Sequence, residues 1–338
     1  MRLTITALLI STVLFSCKSH DNIPDVSNIK VDLTTERFDK DLFAIDSINF
    51  PIGYQQLQAK YPDFSGFFST QILGLDPKWP ADTTMQYVGQ FARSYKAVYD
   101  TSELIFNDFS KYESDIKQSV QFLKYYFPAY IAPTKVITYI GPLDGYGDVF
   151  FSNDAFVIGL QLHLGKNYSQ YKTTFVNDTY PGYISQRFEP SYIAVNCMIN
   201  VMNDMYPEKE DDRPMVDQMV DKGKRLYVLS KLLPYTDEYK IIGYTEQQMK
   251  DCYAHEGQVW DMFVQNGTLQ VTDKNVIKTY IGESPKTEEL GEDAPGNIGS
   301  FAGWQIVKKY MKNNPSKTLP QLMSTDADAI FQETKYKP

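Results

Sequence analysis

The chain has 338 residues, of which 43% are hydrophobic and 22% charged, so it carries ample material for a buried core and is a poor candidate for disorder. Its 33 basic and 42 acidic residues give a net charge of -9, which argues against a nucleic-acid partner and against adhesion to anionic membrane by charge alone. Any hold on a membrane needs another device.

That device stands at the start. Residues 1–16 read as a signal peptide: Arg2 is followed by an apolar run from Ala7 to Phe15, too short to span a bilayer but right for export. Leu14-Phe15-Ser16-Cys17 resembles the bacterial lipoprotein signal, in which cleavage precedes the cysteine and its thiol carries diacylglycerol, so Cys17 is the expected lipid attachment site. The alternative is an ordinary cleaved signal with an incidental cysteine. Residues 17–28 then form the lipidated cysteine and a polar tether, and 29–338 a single domain. Only Cys197 and Cys252 remain, in a disulfide-permissive compartment; they could bridge, but mid-helix cysteines more often act as small buried apolar residues.

Ile29, Val31 and Leu33 alternate like an opening strand. From Tyr54 to about Phe127 the pattern is helical, with breaks at Pro62, at 76–80 and near Asp100, and with dense aromatics expected in the core. Lys135 to Ile140 reads as a strand, and Val149-Phe150-Phe151 with Phe156 to Leu160 reads as a hairpin around Ser152-Asn153-Asp154. Gly141, Gly145 and Gly147 lack the spacing of a phosphate loop. His163 has no spaced partner and reads as structural.

Residues 181–234 organise the rest as two helices joined by an acidic loop. The first runs from Pro190 to about Met205, with an apolar stripe at Ala194, Met198, Val201, Met202 and Met205. Asn196, Asn200 and Asn203 line up on another face. The second starts near Pro214, burying Met215, Met219, Val220, Leu226 and Leu229 and leaving Asp217, Asp221, Lys224 and Arg225 outside or at the edge. Asn196, Cys197 and Asn200 occupy the spacing of H-E-x-x-H, where two histidines bind zinc and a glutamate activates water. Asn-Cys-x-x-Asn keeps that geometry and loses the chemistry: an amide is a poor zinc ligand, and a cysteine without an activating neighbour is a poor general base. Two readings of the asparagines follow, a solvated or loop-covered face and a buried amide ladder.

Thr245 and Gln248 fit a capping box opening a helix that ends at Asn266-Gly267, with Met249, Cys252, Tyr253, Val259, Trp260 and Phe263 on its buried face. Cys252 and His255 are only two ligands, short of a metal site. Gly299, Ala302 and Gly303 put small residues on one face of a later helix, where another backbone, expected to be the central pair, must approach closely. A last helix covers Ala327 to Thr334.

Cys17 in its lipobox, Arg37 to Asp46 (RFDKDLFAID), Arg187 to Asn196 (RFEPSYIAVN), Met219 to Leu229 (MVDKGKRLYVL), Pro295 to Met311 (PGNIGSFAGWQIVKKYM) and the terminal KYKP closely resemble the GldB family of gliding motility lipoproteins of the Bacteroidetes, over nearly the whole mature chain. The resemblance implies an envelope lipoprotein, on the periplasmic side of the inner or outer membrane, tied to gliding machinery that in gliding relatives works beside protein secretion. The family is also distantly similar to predicted zinc peptidases with an H-E-x-x-H helix and a glutamate on the next helix. Carried over by position, this chain has Asn196 and Asn200 for the histidines, Cys197 for the glutamate, and Asp221 or Lys222 near the third ligand. That implies a predominantly helical α+β, zincin-like domain, with a small β-sheet before the central helix pair and without metal or cofactor.

The function so expected is a non-catalytic, lipid-anchored interaction or assembly protein, held to the membrane by Cys17 and meeting envelope proteins or peptide segments. The alternatives are a peptidase-like hydrolase with an unconventional site, using acids such as Glu189, Asp221 or Glu256, and a glycan-binding lipoprotein.

Overall fold

The computed structural model describes residues 23–152, 154–208 and 212–338. The signal peptide, Cys17 and residues 18–22 of the tether lie outside the described residues. Strand β1 (Thr34–Arg37) leads into α1 (Phe38–Phe43), α2 (Phe50–Lys60), α3 (Phe64–Phe67) and a π-helical turn (Phe68–Ile72). Three longer helices follow: α4 (Ala81–Ser94), α5 (Lys96–Phe106) and α6 (Ser110–Tyr126). Asp100 lies inside α5, so the expected break there falls instead at Tyr95 and at residues 107–109.

Strands β2 (Lys135–Tyr139), β3 (Val149–Phe151) and β4 (Ala155–Gly159) complete a four-stranded sheet of order β1-β2-β4-β3. The β3–β4 hairpin is antiparallel, as expected. Two parallel pairings, β1 with β2 and β2 with β4, join segments distant in sequence. The opening strand starts later than the 29–33 alternation implies; Val31 and Leu33 pack into the core just before it.

Successive residues of a strand face opposite sides, so β2 and β4 divide the core in two. Val136, Ile140, Phe156 and Ile158 join the large helical core, while Ile137, Tyr139, Ala155 and Val157 join the aromatic core of Phe38, Phe64 and Phe68. Thr138 is buried and donates to Asp39 at 2.5 Å, and Asp39 is held by Arg37 at 2.6 Å. The RFDKDLF segment therefore pins α1 to the sheet.

Beyond the sheet come α7 (Thr174–Thr179), α8 (Gly182–Ser185), α9 (Ile193–Met205), α10 (Met215–Leu232) and α11 (Glu238–Ile242). Then follow α12 (Glu246–Ala254), α13 (Glu256–Gln265), α14 (Lys274–Ile281), α15 (Ile298–Asn313), α16 (Leu319–Ser324) and α17 (Ala327–Thr334). The helix opened by the Thr245 capping box breaks at His255, and Tyr253 is partly exposed rather than buried.

The small-residue face of α15 meets α10, as its glycines require. A Cβ at Gly303 would collide with the Met219 carbonyl, and one at Gly223 would collide with the Gly303 carbonyl. Two of the family-like motifs thus form one close backbone crossing. On α10, Asp217 and Lys224 are buried, contrary to their expected outer position. Lys224 reaches the Thr325 carbonyl at 3.0 Å and Asp221 at 2.5 Å, so its charge is compensated under the α16–α17 connection.

Candidate functional site

A 3₁₀ turn at Pro190–Tyr192 launches α9, whose buried side carries Met198, Val201 and Met202. Its asparagine face points toward the loop between β2 and β3. That loop is pinned from several directions. Gln161 accepts from the Gly141 amide at 2.9 Å and donates to the Tyr146 carbonyl at 3.0 Å, Tyr139 donates to the Gly147 carbonyl at 2.8 Å, and Tyr180 donates to the Gly145 carbonyl. Held this way, the loop delivers Asp148 to the start of β3.

Asp148 is the hub. Its side chain is 3% exposed, and one carboxylate oxygen accepts from His163 Nε2 at 2.8 Å and from Asn196 Nδ2 at 3.0 Å. The other oxygen accepts from the Gly159 amide at 3.1 Å, while the Asp148 carbonyl accepts from Asn200 Nδ2 at 3.2 Å. His163 is 1% exposed, and its Nδ1 faces the Glu189 carbonyl at 3.2 Å. Both partners of the ring are acceptors, so the imidazole satisfies them only by donating from both nitrogens, as imidazolium. Burial pulls the His163 pKa down, but the Asp148 carboxylate and the Glu189 carbonyl outweigh it, and the net shift is upward. Neither ring nitrogen is left for a metal or a substrate proton.

The expected site residues divide accordingly. Asn196 and Asn200 converge on Asp148, whereas Cys197 points into the core, and burial pushes its thiol well above the ordinary range. Such a thiol is inert as a nucleophile. Asp221 and Lys222 stand elsewhere, on α10: Asp221 is paired with Arg213 at 2.6 Å, and Lys222 with Glu208 at 2.7 Å. The five positions do not form one constellation. Among the described residues no group of three or more His, Cys, Asp or Glu side chains is arranged to hold a metal ion. Cys197 and Cys252 are free, His255 is exposed with its Nδ1 at the Asp251 carbonyl, and Glu256 accepts from Tyr336.

The residues that sequence reasoning missed are Asp148 and Glu208. Asp148 follows two glycines and reads locally as a turn residue. Its partners lie 15 and 48 positions away, and no spacing rule links them.

Asn196 also lines a cavity of about 410 Å³ between α9, α10 and α11, walled by Phe188, Ile199, Met202 and Leu229. A second cavity of about 310 Å³ adjoins it, lined by Arg213, Lys222, Lys224, Arg225, Glu208 and Asp221. Arg225 donates to the Tyr206 carbonyl and to Asn203 Oδ1, so the third asparagine of the stripe faces this basic end rather than Asp148.

No helix among the described residues is long and apolar enough to cross a membrane. No curated protein and no solved structure matches the chain. The family model described as gliding motility protein GldB matches residues 19–338, nearly the full length of the sequence, and the chain belongs to that family.

Proposed function

We propose that this chain is a non-catalytic, lipid-anchored protein of the cell envelope that serves gliding-motility or secretion machinery by association, holding a segment of a partner in the cleft beside α9. Membership of the gliding motility family supports the setting, and the lipobox at Cys17 supports the anchor. The observation that carries the non-catalytic part is the closure of the Asp148 hub. The amide nitrogens of Asn196 and Asn200 are bonded within the fold to Asp148, and Cys197 is buried as an inert thiol. The adjoining cavities, in contrast, are lined by groups that can meet another molecule.

The test takes the full chain in its native host. Cys17→Ala abolishes labelled-palmitate incorporation and releases the protein from the membrane fraction; unchanged labelling would remove the anchor. The chain purified without chelator contains far less than one zinc per molecule by elemental mass spectrometry. Near one zinc per chain, or proteolysis lost in Asp221→Asn, would turn the reading back to a peptidase.

A further inference from the structure

The two cavities differ in chemistry and share a boundary. The larger is mainly apolar, with Val195, Ile199, Met202, Leu226, Leu229 and Ile241 in its wall; the smaller is basic, and Lys222, Arg225 and Glu208 line both. Their volumes, about 410 and 310 Å³, fall within the roughly 300–1,000 Å³ of small-ligand sites. Around the smaller one, Arg213 and Lys224 share Asp221 at 2.6 and 2.5 Å, while Lys222 and Arg225 share Glu208 at 2.7 and 3.7 Å. At the boundary of the two cavities Lys222 and Arg225 thus share one partly exposed carboxylate, Glu208. A carboxylate that displaced Glu208 would meet both of these fixed cations.

Glu208 displays what kind of anion fits. Both of its oxygens accept from Lys222 Nζ, at 2.7 and 2.8 Å, although its side chain is 53% exposed. Burial would raise this carboxyl, yet Lys222 and Arg225 hold it below its ordinary value. Arg225 is fixed by Tyr206 and Asn203, so its guanidinium needs no reordering to receive a ligand. A carboxylate from the chain itself fills the cradle.

The amides argue for a peptide over an acyl chain. Asn196 Oδ1 and Asn203 Nδ2 have no hydrogen-bond partner among the described residues, and both side chains line the larger cavity. They offer one acceptor and one donor, two helical turns apart, or roughly 10 Å. That distance spans about three residues of extended peptide. A purely apolar chain lying over them would leave both amide groups unpaired, at a cost in free energy.

We propose that the joined cavities bind an extended apolar segment of a partner protein that carries a carboxylate, with its apolar side chains between α9, α10 and α11 and its carboxylate replacing Glu208 on Lys222 and Arg225. This rests on the association role proposed above and specifies the chemistry of the segment.

The experiment uses the full chain in nanodiscs and a set of acetylated apolar hexapeptides, each made as the free C-terminal acid and as the amide, with laurate as a lipid probe. Free acids bind at least tenfold more tightly than the amides, Lys222→Ala removes that preference, and Glu208→Gln tightens acid binding severalfold by removing the competitor. Equal binding of acid and amide, binding of laurate alone, or no binding of any probe would each overturn the proposal. A benzoylphenylalanine at Ile199, crosslinked in cells, separates this proposal from the one beneath it. Protein adducts combined with equal acid and amide binding would overturn only the carboxylate, whereas the absence of any protein adduct would overturn both.

Discussion

The two ends of one helix face carry the same residue type and do opposite things. At the N-terminal end of α9, Asn196 and Asn200 are tied through their amide nitrogens to Asp148, whose buried carboxylate also holds His163. At the C-terminal end, Asn203 is exposed and positions Arg225 at the rim of two cavities. A polar stripe at helical spacing therefore has no single meaning. What decides is the neighbouring element: a pinned loop closes one end, and a basic helix leaves the other open.

The largest expected effect lies at the closed end. Asp148→Ala removes the acceptor shared by His163, Asn196 and the Gly159 amide and breaks the buried pair with His163, and it should cost about 3–5 kcal/mol in urea unfolding. A loss below about 1 kcal/mol would show that water already satisfies the cluster.

Next in size is the direct contrast between the asparagines. Asn196→Ala gives up a hydrogen bond to an ionised group and should destabilise by about 1–3 kcal/mol. Asn203→Ala, on the exposed rim, should stay within about 0.5 kcal/mol. Equal costs for the two would erase the distinction between the ends.

Smaller still is a pH dependence with a definite sign. The folded-state pKa of His163 is raised, so the stability that its charge contributes is fully present below the unfolded value, about 6.5, and is lost as pH rises through the folded value. Unfolding free energies of the native chain should therefore fall more steeply from pH 6.5 upward than those of His163→Gln. Parallel curves would mean that the histidine is neutral in the folded state.

Much of this organisation was legible in the sequence, and the exceptions share a cause. The helix pair at 190–232, the β3–β4 hairpin and the Thr245 capping box are written in spacings of two to four residues, which local physics enforces. Gly299 and Gly303 announced a close approach because glycine is costly inside a helix; α10 supplies it at Gly303, while Ile281 and Tyr280 of α14 crowd Gly299. The partner glycine, Gly223, gave no such signal, since a lone glycine among charged residues reads as a solvated position. Asp217 and Lys224 misled for the same reason: their burial is set by the C-terminal helices that fold over α10, not by the period of α10 itself. The parallel strands and the Asp148 hub depend on contacts that cross tens of residues, where no local pattern constrains the pairing. The spacing at residues 196–200 placed the right face on view, but only the neighbours of Asn196 and Asn200 give that face its role.

The claim that this face is a structural anchor is tested most directly by the protonation of His163. The chain has three histidines, which makes ¹⁵N-labelled imidazole spectra assignable with single substitutions. At pH 6.5, where a free histidine is about half protonated, His163 should show both ring nitrogens protonated and in slow exchange with water. A neutral ring with one unprotonated nitrogen, or a nitrogen shifted by bound zinc, would contradict the account and return a ligand or a general base to the site.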